Sequence, residues 1–470
     1  MRRPAPSPPC APGDVIDLMP HDLGLDGGSI ARLGSFVVFL DRGLPGETVR
    51  ARITGLKRAF AEAEVLEVLV SASHAAAPHC PHQGECGGCA WPGLGYAEEL
   101  LWKERHARES LRRLGRLGET ADKLSRPVVP SPRPLGYRNK LEFAFGPDAD
   151  GGVILGLKRR GTRRIIPVSD CALARSSVAA ILRFSRHWAR SNALSAWDGK
   201  RGFLRHLVVR LPDYAPQGEA QCQVELIVNN AADAVARNIV DAFGPALRRA
   251  VPEVTSCVLS QRLQRSDVAY GERVLSGGER IRERIGHLLL EAPPTVFLQA
   301  NTPAAALMYA EVRRMADPFM RPESTVVWDL YCGVGGIGLF LADRVLRVHG
   351  FERSREAVAC ARRNAALNTL RNCAFTAGEV AVQTKRAARD GDAPDIIITD
   401  PPRAGLSAGM AALLLELQAR AVIAVACDPA SLARDLARLG EGYRVCQVRS
   451  FDFFPHTPHM ESAALLERRG

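Results

Sequence analysis

The chain has 470 residues, which is more than one hydrophobic core usually holds, so its length predicts two to four domains. No stretch approaches the roughly 18 uninterrupted apolar residues that a membrane-spanning helix needs, which excludes a transmembrane protein. Lysine and arginine outnumber aspartate and glutamate by 62 to 51, and the resulting net charge of +11 favours a polyanionic partner without identifying it.

The first seventy residues divide into a tail and a β-rich segment. Residues 1–13 are rich in proline and lack the apolar run of a signal peptide, so we expect a disordered tail in a cytoplasmic protein. Over residues 14–72, short β-rich runs alternate with glycine and proline turns, which predicts a small OB-like β-barrel. Barrels of this size often bind oligonucleotides, although the fold alone does not identify a ligand.

The middle of the chain, residues 73–290, carries a cluster of cysteines. Cys80, Cys86 and Cys89 lie in a glycine-rich loop and Cys171 follows far along the chain, an arrangement more typical of a metal centre than of disulfides. Four thiolates fit zinc and a [4Fe-4S] cluster equally, and a reduced loop without metal is the alternative.

Around these cysteines the pattern predicts an α+β domain. Residues 96–117 are typical of a basic helix, and strands and helices mix without a clean βαβ rhythm from residue 126 to 291. A run of lysine and arginine at 158–164 predicts a basic hairpin tip, which contacts either phosphate or only solvent.

The last part of the chain, residues 291–470, changes rhythm. Apolar strand-like runs alternate there with helical segments, which predicts a doubly wound, Rossmann-like parallel sheet. The runs lie at 325–330, 345–351, 395–400 and 421–427. The whole chain is therefore predicted to be a multidomain α/β protein with four segments, 1–13, 14–72, 73–290 and 291–470.

A glycine loop follows the first strand of that sheet. Gly333, Gly335 and Gly338 let the chain turn sharply and approach a ligand closely. Glu352, at the end of the next strand, is placed to accept hydrogen bonds from ribose hydroxyls. The motif fits NAD and S-adenosylmethionine alike, and glycines that serve only a tight turn are the third alternative.

An acidic strand end separates these two cofactors. Asp400 ends the run 395–400 and is followed by two prolines that fix the backbone beside the cofactor crevice. A strand followed by Asp-Pro-Pro is a signature of methyltransferases that act on planar nitrogen or carbon atoms of nucleic acids. The segment therefore favours S-adenosylmethionine over a dinucleotide.

Two residues suit covalent catalysis on a uracil ring. Carbon 5 of uracil is a poor nucleophile, so an enzyme must first add a nucleophile at carbon 6, and the thiolate of Cys427 suits that task. Its strand ends at the same edge of the sheet as Asp400. A base must then remove the carbon 5 proton, and we predict Glu461 as that base, with His456 and His459 as alternatives.

Five motifs occur together in the C-terminal part of the chain. They are Phe297-Leu-Gln-Ala-Asn, Asp329-Leu-Tyr-Cys-Gly-Val-Gly, Asp400-Pro-Pro-Arg, Cys427-Asp-Pro-Ala-Ser-Leu-Ala-Arg-Asp, and the Phe-Pro-His-Thr-x-His-x-Glu that ends at Glu461. With these motifs the chain resembles the RNA 5-methyluridine methyltransferases, most closely the 23S ribosomal RNA uracil-C5 methyltransferases with a TRAM domain and a [4Fe-4S] cluster. The N-terminal barrel resembles a TRAM domain through its turn Leu44-Pro-Gly-Glu-Thr-Val.

This resemblance implies roles for individual residues. Cys427 would be the nucleophile and Glu461 the base. A [4Fe-4S] cluster in a structural or RNA-positioning role would be bound by Cys80, Cys86, Cys89 and Cys171, and S-adenosylmethionine by Gln299, Tyr331, Gly333, Gly335, Glu352 and Asp400. The chain departs from the family at Asp428, where asparagine is frequent, and at Gly336 and Glu379, where some relatives have polar residues that contact the cofactor.

We therefore predict a class I S-adenosylmethionine-dependent RNA (uracil-C5)-methyltransferase that modifies a uridine of 23S ribosomal RNA, with transfer RNA as the alternative substrate. An NAD-linked oxidoreductase with an iron-sulfur centre would leave Asp400, Cys427 and Glu461 unexplained. The intact set of those three residues also argues against an RNA-binding assembly factor that keeps the fold without catalysis. We further predict a monomer with no membrane association.

Overall fold

The computed structural model describes residues 8–77, 79–148, 150–175, 177–214, 221–229, 234–278 and 280–470. Contacts group the chain into two compact units. Unit 1 contains the chain up to His106 together with Arg159–Arg163 and Phe454–His459, and unit 2 contains the remainder. The four-segment division expected from the sequence stays a prediction.

Unit 1 is built on a six-stranded sheet. Its strands are β1 (Val15–Leu18), β2 (Asp22–Leu23), β3 (Ser29–Leu33), β4 (Phe36–Leu40), β5 (Thr48–Leu56) and β6 (Phe60–Val70). They lie in the order β1-β5-β6-β4-β3-β2, and only the β4–β6 pair is parallel. Every second residue of β5 is buried, as in Val49, Ala51 and Ile53, because successive side chains of a strand point to opposite faces.

The described chain begins before the predicted barrel. Residues 1–7 of the predicted disordered tail lie outside the described residues, whereas Cys10 packs in the barrel core and the Gly13 N–H donates to the Ile53 carbonyl oxygen at 2.8 Å. Beyond the sheet, the predicted basic helix is α1 (Tyr96–Arg113), and α2 (Thr120–Leu124) follows. Helix α1 ends earlier than predicted, just before Gly115, because glycine is a poor helix former.

Unit 2 contains a central seven-stranded sheet. Its strands are β7 (Lys140–Pro147), β8 (Val153–Lys158), β9 (Ile165–Pro167), β10 (Leu204–Arg210), β11 (Gln223–Val228), β12 (Ser256–Gln261) and β13 (Arg273–Ser276), and its helices are α3 (Ser177–Ser191) and α4 (Ala234–Ala250). The order is β13-β12-β11-β10-β7-β8-β9, and only β11 and β12 are parallel. Strands β8 and β9 are antiparallel neighbours, so the basic run between them forms the predicted hairpin tip.

A hairpin and a helix connect this region to the last sheet. The hairpin pairs β14 (Ile281–Ile285) with β15 (Leu288–Ala292), and helix α5 (Thr302–Ala316) follows it. Asn301 caps α5, since its side chain accepts a hydrogen bond from the Ala304 N–H at 3.2 Å. No helix among the described residues is long and apolar enough to cross a membrane.

The last sheet of unit 2 also has seven strands. They are β16 (Val326–Leu330), β17 (Arg347–Glu352), β18 (Cys373–Ala377), β19 (Ile396–Thr399), β20 (Ala421–Ala426), β21 (Tyr443–Phe451) and β22 (Glu461–Arg468). The helices between them are α6 (Gly336–Leu341), α7 (Arg355–Leu367), α8 (Val380–Arg389), α9 (Ala408–Leu417) and α10 (Pro429–Leu439), with short 3₁₀ turns at Asp317–Phe319 and Ala342–Arg344. The order β18-β17-β16-β19-β20-β22-β21 places five parallel strands together, which confirms the predicted Rossmann-like sheet.

One edge of this sheet departs from the fully parallel prediction. Strands β21 and β22 form an antiparallel hairpin, and β22 runs antiparallel to β20 with Ser462 opposite Ala426. Because β22 starts where the parallel strands end, its first residue, Glu461, lies at their carboxyl edge. The pattern of β22 alone could not show this, since strand direction depends on the neighbour with which a strand pairs.

Candidate active site

A cavity of about 600 Å³ lies at the carboxyl edge of the last sheet of unit 2. Its walls come from the loops that follow β16 to β20, from the segment before α5 and from the start of β22. Seven of the eight residues predicted to bind the cofactor or to act in catalysis line it: Gln299, Tyr331, Gly333, Glu352, Asp400, Cys427 and Glu461. The eighth, Gly335, precedes α6 and is not among the described lining residues.

The glycine loop between β16 and α6 forms one wall of this cavity. Gly333 has a φ of +53°, and a Cβ added there would meet no atom within 4 Å, so a ligand can approach this backbone closely. Gly335 has a φ of +85°, and a Cβ there would lie 3.1 to 3.2 Å from three apolar side chains. The loop therefore combines a left-handed turn with close packing that a larger residue would strain.

Glu352 is held beside this loop by backbone donors. The Gly333 N–H donates to Oε2 at 3.2 Å, and the Ser354 N–H donates to Oε1 at 2.7 Å. Each carboxylate oxygen keeps a further acceptor position, so the group is oriented and still able to accept hydrogen bonds from ribose hydroxyls. The open backbone and this acid together fit an adenosyl cofactor.

Asp329, at the end of β16, is a cavity residue that the sequence analysis did not single out. Its Oδ2 accepts a hydrogen bond from the Gly338 N–H at 2.8 Å, and burial raises the pKa of this carboxyl to about 7. The signal was present in the sequence, because Asp329 is the acid that opens the motif leading into the glycine loop.

Two further carboxyl groups, those of the half-buried Asp400 and the buried Glu461, act on the nucleophile predicted from the sequence. Burial raises the pKa of Asp400 to about 6. Burial, and then the negative charge of Asp400, raise the pKa of Glu461 well above its usual range. Because two like charges in a low-dielectric cavity repel each other, the pair does not readily ionise twice at neutral pH. A carboxylate with a raised pKa is also a stronger proton acceptor than an ordinary one.

Cys427 follows β20 directly, next to the position where Ala426 faces Ser462. Burial, and then the charges of Glu461 and Asp400, raise the pKa of its thiol to about 11, whereas the charge of Arg403 lowers it. The thiol is therefore protonated at neutral pH. It becomes a nucleophile only when a base accepts its proton or when the negative charge around it decreases.

Asp428, the acidic neighbour of Cys427, is used by helix α10. Its two carboxylate oxygens accept hydrogen bonds from the N–H groups of Ala430 at 3.4 Å and Ser431 at 3.2 Å, so it is the N-cap of that helix. The helix dipole stabilises a negative charge there. The charges that oppose ionisation of Cys427 are thus those of Glu461 and Asp400 rather than that of its neighbour in sequence.

Gly336 and Glu379, the two other positions at which the chain departs from the family pattern, line the cavity. A Cβ at Gly336 would lie 2.5 Å from the hydroxyl oxygen of Tyr309, so that ring occupies the space that a side chain at 336 would need. Glu379 precedes α8, and its charge adds to the burial that raises the pKa of Tyr331. Tyr331 itself has a φ of +64°, a conformation that costs a non-glycine residue about 1 to 2 kcal/mol.

Phe297 stands out among the lining residues because it is 67% exposed. It precedes Gln299 by two residues, in the segment that leads into α5. The sequence analysis included this phenylalanine in a motif without giving it a role. A large exposed aromatic ring on the wall of a cavity offers a stacking surface for a planar ligand.

Comparisons with known proteins agree with this geometry. Residues 287–469 match the tRNA (uracil-5-)-methyltransferase family and residues 13–66 match the TRAM domain. An uncharacterized RNA methyltransferase of Nitratidesulfovibrio vulgaris is 41% identical over 98% of this chain and 97% of its own length, and one of Bacillus cereus is 31% identical over 98% of both. The chain belongs to the S-adenosylmethionine-dependent RNA uracil-5 methyltransferases.

A solved structure shows the same fold across almost the whole methyltransferase. The Pyrococcus abyssi tRNA (uracil-54, C5)-methyltransferase, in complex with S-adenosyl-L-homocysteine, aligns with a TM-score of 0.72. The two sequences are 24% identical, and the alignment covers 96% of this chain and 100% of the other. This likeness confirms the fold, with an N-terminal TRAM domain and a C-terminal methyltransferase domain.

The two histidines considered as alternative bases in this methyltransferase, His456 and His459, are not among the described residues that line the cavity. His456 belongs to unit 1, where its Nδ1 lies 2.8 Å from Oε1 of Glu99 and its backbone N–H donates to Oε2 of Glu99 at 2.7 Å. Its ring stacks on His79 with the centroids 4.2 Å apart. Glu461 therefore stays the predicted base.

The four cysteines predicted to bind a [4Fe-4S] cluster fall in both units. Cys80, Cys86 and Cys89 belong to unit 1 and Cys171 to unit 2. Within the part of the chain that the structure describes, no three histidine, cysteine, aspartate or glutamate side chains form a group that could hold a metal ion. The positions of these four cysteines therefore give no support to the predicted [4Fe-4S] cluster.

Proposed function

We propose that this enzyme methylates carbon 5 of a specific uridine, in 23S ribosomal RNA, through a covalent intermediate on Cys427. The observation that carries the proposal is the meeting of Cys427, Glu461 and Asp400 in one cavity with the glycine loop and Glu352. A nucleophile, an acid-base group and a cofactor wall are the three parts that the reaction needs.

The chemistry starts at the sulfur of Cys427. Its thiolate adds to carbon 6 of the uracil ring, and the electrons of the C5–C6 double bond move into an enolate that makes carbon 5 nucleophilic. S-adenosylmethionine, when bound, supplies an electrophilic methyl group, which carbon 5 accepts. Glu461 then takes the proton from carbon 5, the double bond re-forms, and the bond between sulfur and carbon 6 breaks to release the thiolate.

The carboxyl pair fits two of these steps. Glu461 has a pKa raised well above its usual range, so its carboxylate is basic enough to accept a proton from carbon 5. The thiol of Cys427 has a pKa of about 11 and must lose its proton before it attacks. We propose that Asp400, whose charge also acts on the thiol, accepts that proton, which leaves the Glu461 carboxylate free to take the later proton from carbon 5.

Phe297 is the residue we propose to stack on RNA at this cavity. Chemistry on a base requires the nucleotide to leave its stack, and an aromatic ring compensates for the lost stacking by about 1 to 3 kcal/mol per base. Its ring is largely exposed and lines the cavity. Residues 13–66 match the TRAM domain, and the presence of this domain supports RNA as the substrate.

The proposed RNA substrate is 23S ribosomal RNA, and transfer RNA is the alternative. The resemblance of the motifs favours 23S ribosomal RNA, whereas the solved neighbour is a transfer RNA enzyme by name. Both RNAs are therefore substrates in the test. A monomeric state and a cytoplasmic location stay predictions. The [4Fe-4S] cluster on Cys80, Cys86, Cys89 and Cys171 also stays a prediction, which the sequence resemblance alone supports.

A trapping experiment tests the reaction. Purified wild-type enzyme and Cys427→Ala are incubated with labelled S-adenosylmethionine and with 23S ribosomal RNA or transfer RNA that contains 5-fluorouridine. Because the fluorine cannot leave as a proton, we expect a denaturant-resistant complex of enzyme and RNA with the wild type only. Mapping the adduct identifies the uridine.

Three results would contradict the proposal. Labelled RNA without an adduct would mean direct transfer to another atom, and an adduct with transfer RNA but none with ribosomal RNA would correct the substrate. If neither RNA is labelled or trapped, the chain binds RNA without catalysis.

A further inference from the structure

A polar cluster beside the segment that leads into α5 is formed by Asn139, which is half-buried, and by Glu283 and Thr302, which are buried. Asn139 precedes β7, Glu283 lies in β14 and Thr302 begins α5, so three separate elements meet there. The Asn139 side-chain amide donates to the Thr302 hydroxyl oxygen at 2.9 Å, and that hydroxyl donates to Oε2 of Glu283 at 2.7 Å. None of these residues lines the cavity or belongs to the proposed reaction.

The cluster holds the segment that contains Gln299 by its backbone. The Asn139 side-chain amide also donates to the Gln299 carbonyl oxygen at 2.9 Å, and the Asn139 backbone N–H donates to the Ala300 carbonyl oxygen at 2.9 Å. One residue therefore fixes two successive peptide groups of this segment. Gln299 itself lines the cavity.

Glu283 makes the cluster rigid. It is 1% exposed, and its carboxylate also accepts hydrogen bonds from the backbone N–H groups of Asp213 at 3.0 Å, Tyr214 at 3.1 Å and Arg284 at 3.0 Å. A buried carboxylate persists only when its oxygens are paired in this way. Since its partners come from several elements, a shift of Asn139 or Thr302 would break several hydrogen bonds at once.

We propose that Asn139 is a positioning residue for S-adenosylmethionine binding. It fixes the backbone of Gln299, and Glu283 and Thr302 in turn hold Asn139 in place. The inference rests on the proposed role of Gln299 as a cofactor ligand. Asn139 does not touch the cofactor, so its removal loosens the geometry of the ligand rather than deleting a contact. When the position of Gln299 is less fixed, S-adenosylmethionine binds more weakly, because Gln299 must be ordered on binding.

Two substitutions at Thr302 and one at Asn139 test this directly. Asn139→Ala removes the amide. Thr302→Val removes the hydroxyl and keeps the shape of the side chain, whereas Thr302→Ser keeps the hydroxyl. We expect the dissociation constant of S-adenosylmethionine, measured by calorimetry, to rise about tenfold for the first two variants and to stay near the wild-type value for Thr302→Ser.

Asn372→Ala is the matched control for a merely structural loss. Its side-chain amide also donates to two backbone carbonyl oxygens, those of Ala342 at 2.8 Å and Val345 at 2.9 Å, but it does not line the cavity. It should lower the melting temperature and leave the dissociation constant unchanged.

Gln299→Ala separates this inference from the proposed function. If Gln299→Ala weakens binding while Asn139→Ala and Thr302→Val bind like the wild type, the positioning role is wrong and the ligand role stands. If Gln299→Ala also binds like the wild type, Gln299 is not a cofactor ligand and the positioning role falls with it.

Discussion

The side chains around the sulfur of Cys427 create an electrostatic conflict that the reaction can use. Burial and two carboxyl groups raise the pKa of the thiol to about 11, although the proposed mechanism needs a thiolate. Burial, and then the charge of Asp400, also raise the pKa of Glu461 and make its carboxylate a better base. Each group is therefore harder to ionise than an isolated thiol or carboxyl group, and the reaction must remove two separate protons, one from the thiol in the first step and one from carbon 5 in the last.

Glu461→Gln is expected to trap the covalent intermediate with ordinary RNA. The amide cannot accept the carbon 5 proton, so the methylated adduct should accumulate on Cys427, and turnover should fall by about 100-fold or more. The adduct is measured on a denaturing gel with labelled, unmodified RNA. Phe297→Ala is a useful comparison, because it should weaken RNA binding without accumulating an adduct, and an equal adduct in both variants would argue against Glu461 as the base.

Asp400 should make the stability of the protein depend on pH. Its pKa is raised from 3.8 to about 6 on folding, so its contribution to stability is fully present below about pH 4 and is lost as the pH rises through about 6. The loss is on the order of 2 to 3 kcal/mol. Asp400→Asn should therefore reduce the difference between the melting temperatures at pH 5 and pH 8.

Asp390→Asn provides the control for this measurement. Asp390 lies at the end of α8, where its side chain is 69% exposed, and its replacement should leave the pH dependence as in the wild type. An unchanged pH dependence in Asp400→Asn would show that Asp400 does not carry the effect.

At the scale of elements, the site depends on where strands end and helices begin. The parallel strands β16, β17 and β19 deliver Asp329, Glu352 and Asp400 to one edge, and the antiparallel β22 delivers Glu461 to the same edge from the opposite direction. Helix α10 starts two residues after Cys427, and its N-cap is Asp428. Asp428, the acid next to the nucleophile, therefore caps α10.

Substitutions at Asp428 should follow the rules of helix capping. Asp428→Asn keeps an oxygen that can accept from the first turn of α10, so we expect stability close to that of the wild type. Asp428→Ala removes the cap and should lower the free energy of unfolding by about 1 kcal/mol. Urea unfolding of both variants measures the difference. An asparagine variant as unstable as the alanine variant would indicate that the charge, rather than the cap, matters.

At the scale of the whole molecule, the chain combines a TRAM domain with a methyltransferase domain. The net charge of +11 is consistent with an RNA substrate, because phosphate contacts by lysine and arginine supply much of the affinity for nucleic acids. The three clustered cysteines in unit 1 have no part in the cavity. Their predicted role is therefore separable from the methyl transfer.

The predicted cluster can be measured without any reaction. Protein purified without oxygen should contain about four iron atoms and four acid-labile sulfides per chain, and Cys86→Ser should lose most of both. Cys446→Ser, which replaces a cysteine of β21 outside the predicted set, should keep them. Protein that contains zinc instead, or no metal at all, would contradict the prediction.

The parts of the site that depend on local physics could be predicted from residue type and spacing. The glycine loop, the acids at the ends of β17 and β19 and the apolar run before Cys427 follow from residue type and spacing, so Gly333, Glu352, Asp400 and Cys427 were predicted and then found in one cavity. The cysteine spacing was equally visible, but spacing alone cannot decide between metals.

The parts of the site that depend on partners distant in sequence became visible in the folded chain. The antiparallel entry of β22 places Glu461 opposite the end of β20, and the Asn139 cluster holds Gln299 by bonds between residues 160 positions apart. The raised pKa values of Asp329 and Asp400 come from burial, which no local pattern reveals. These features arise because the energy of a buried polar group is set by its neighbours in space rather than by its neighbours in sequence.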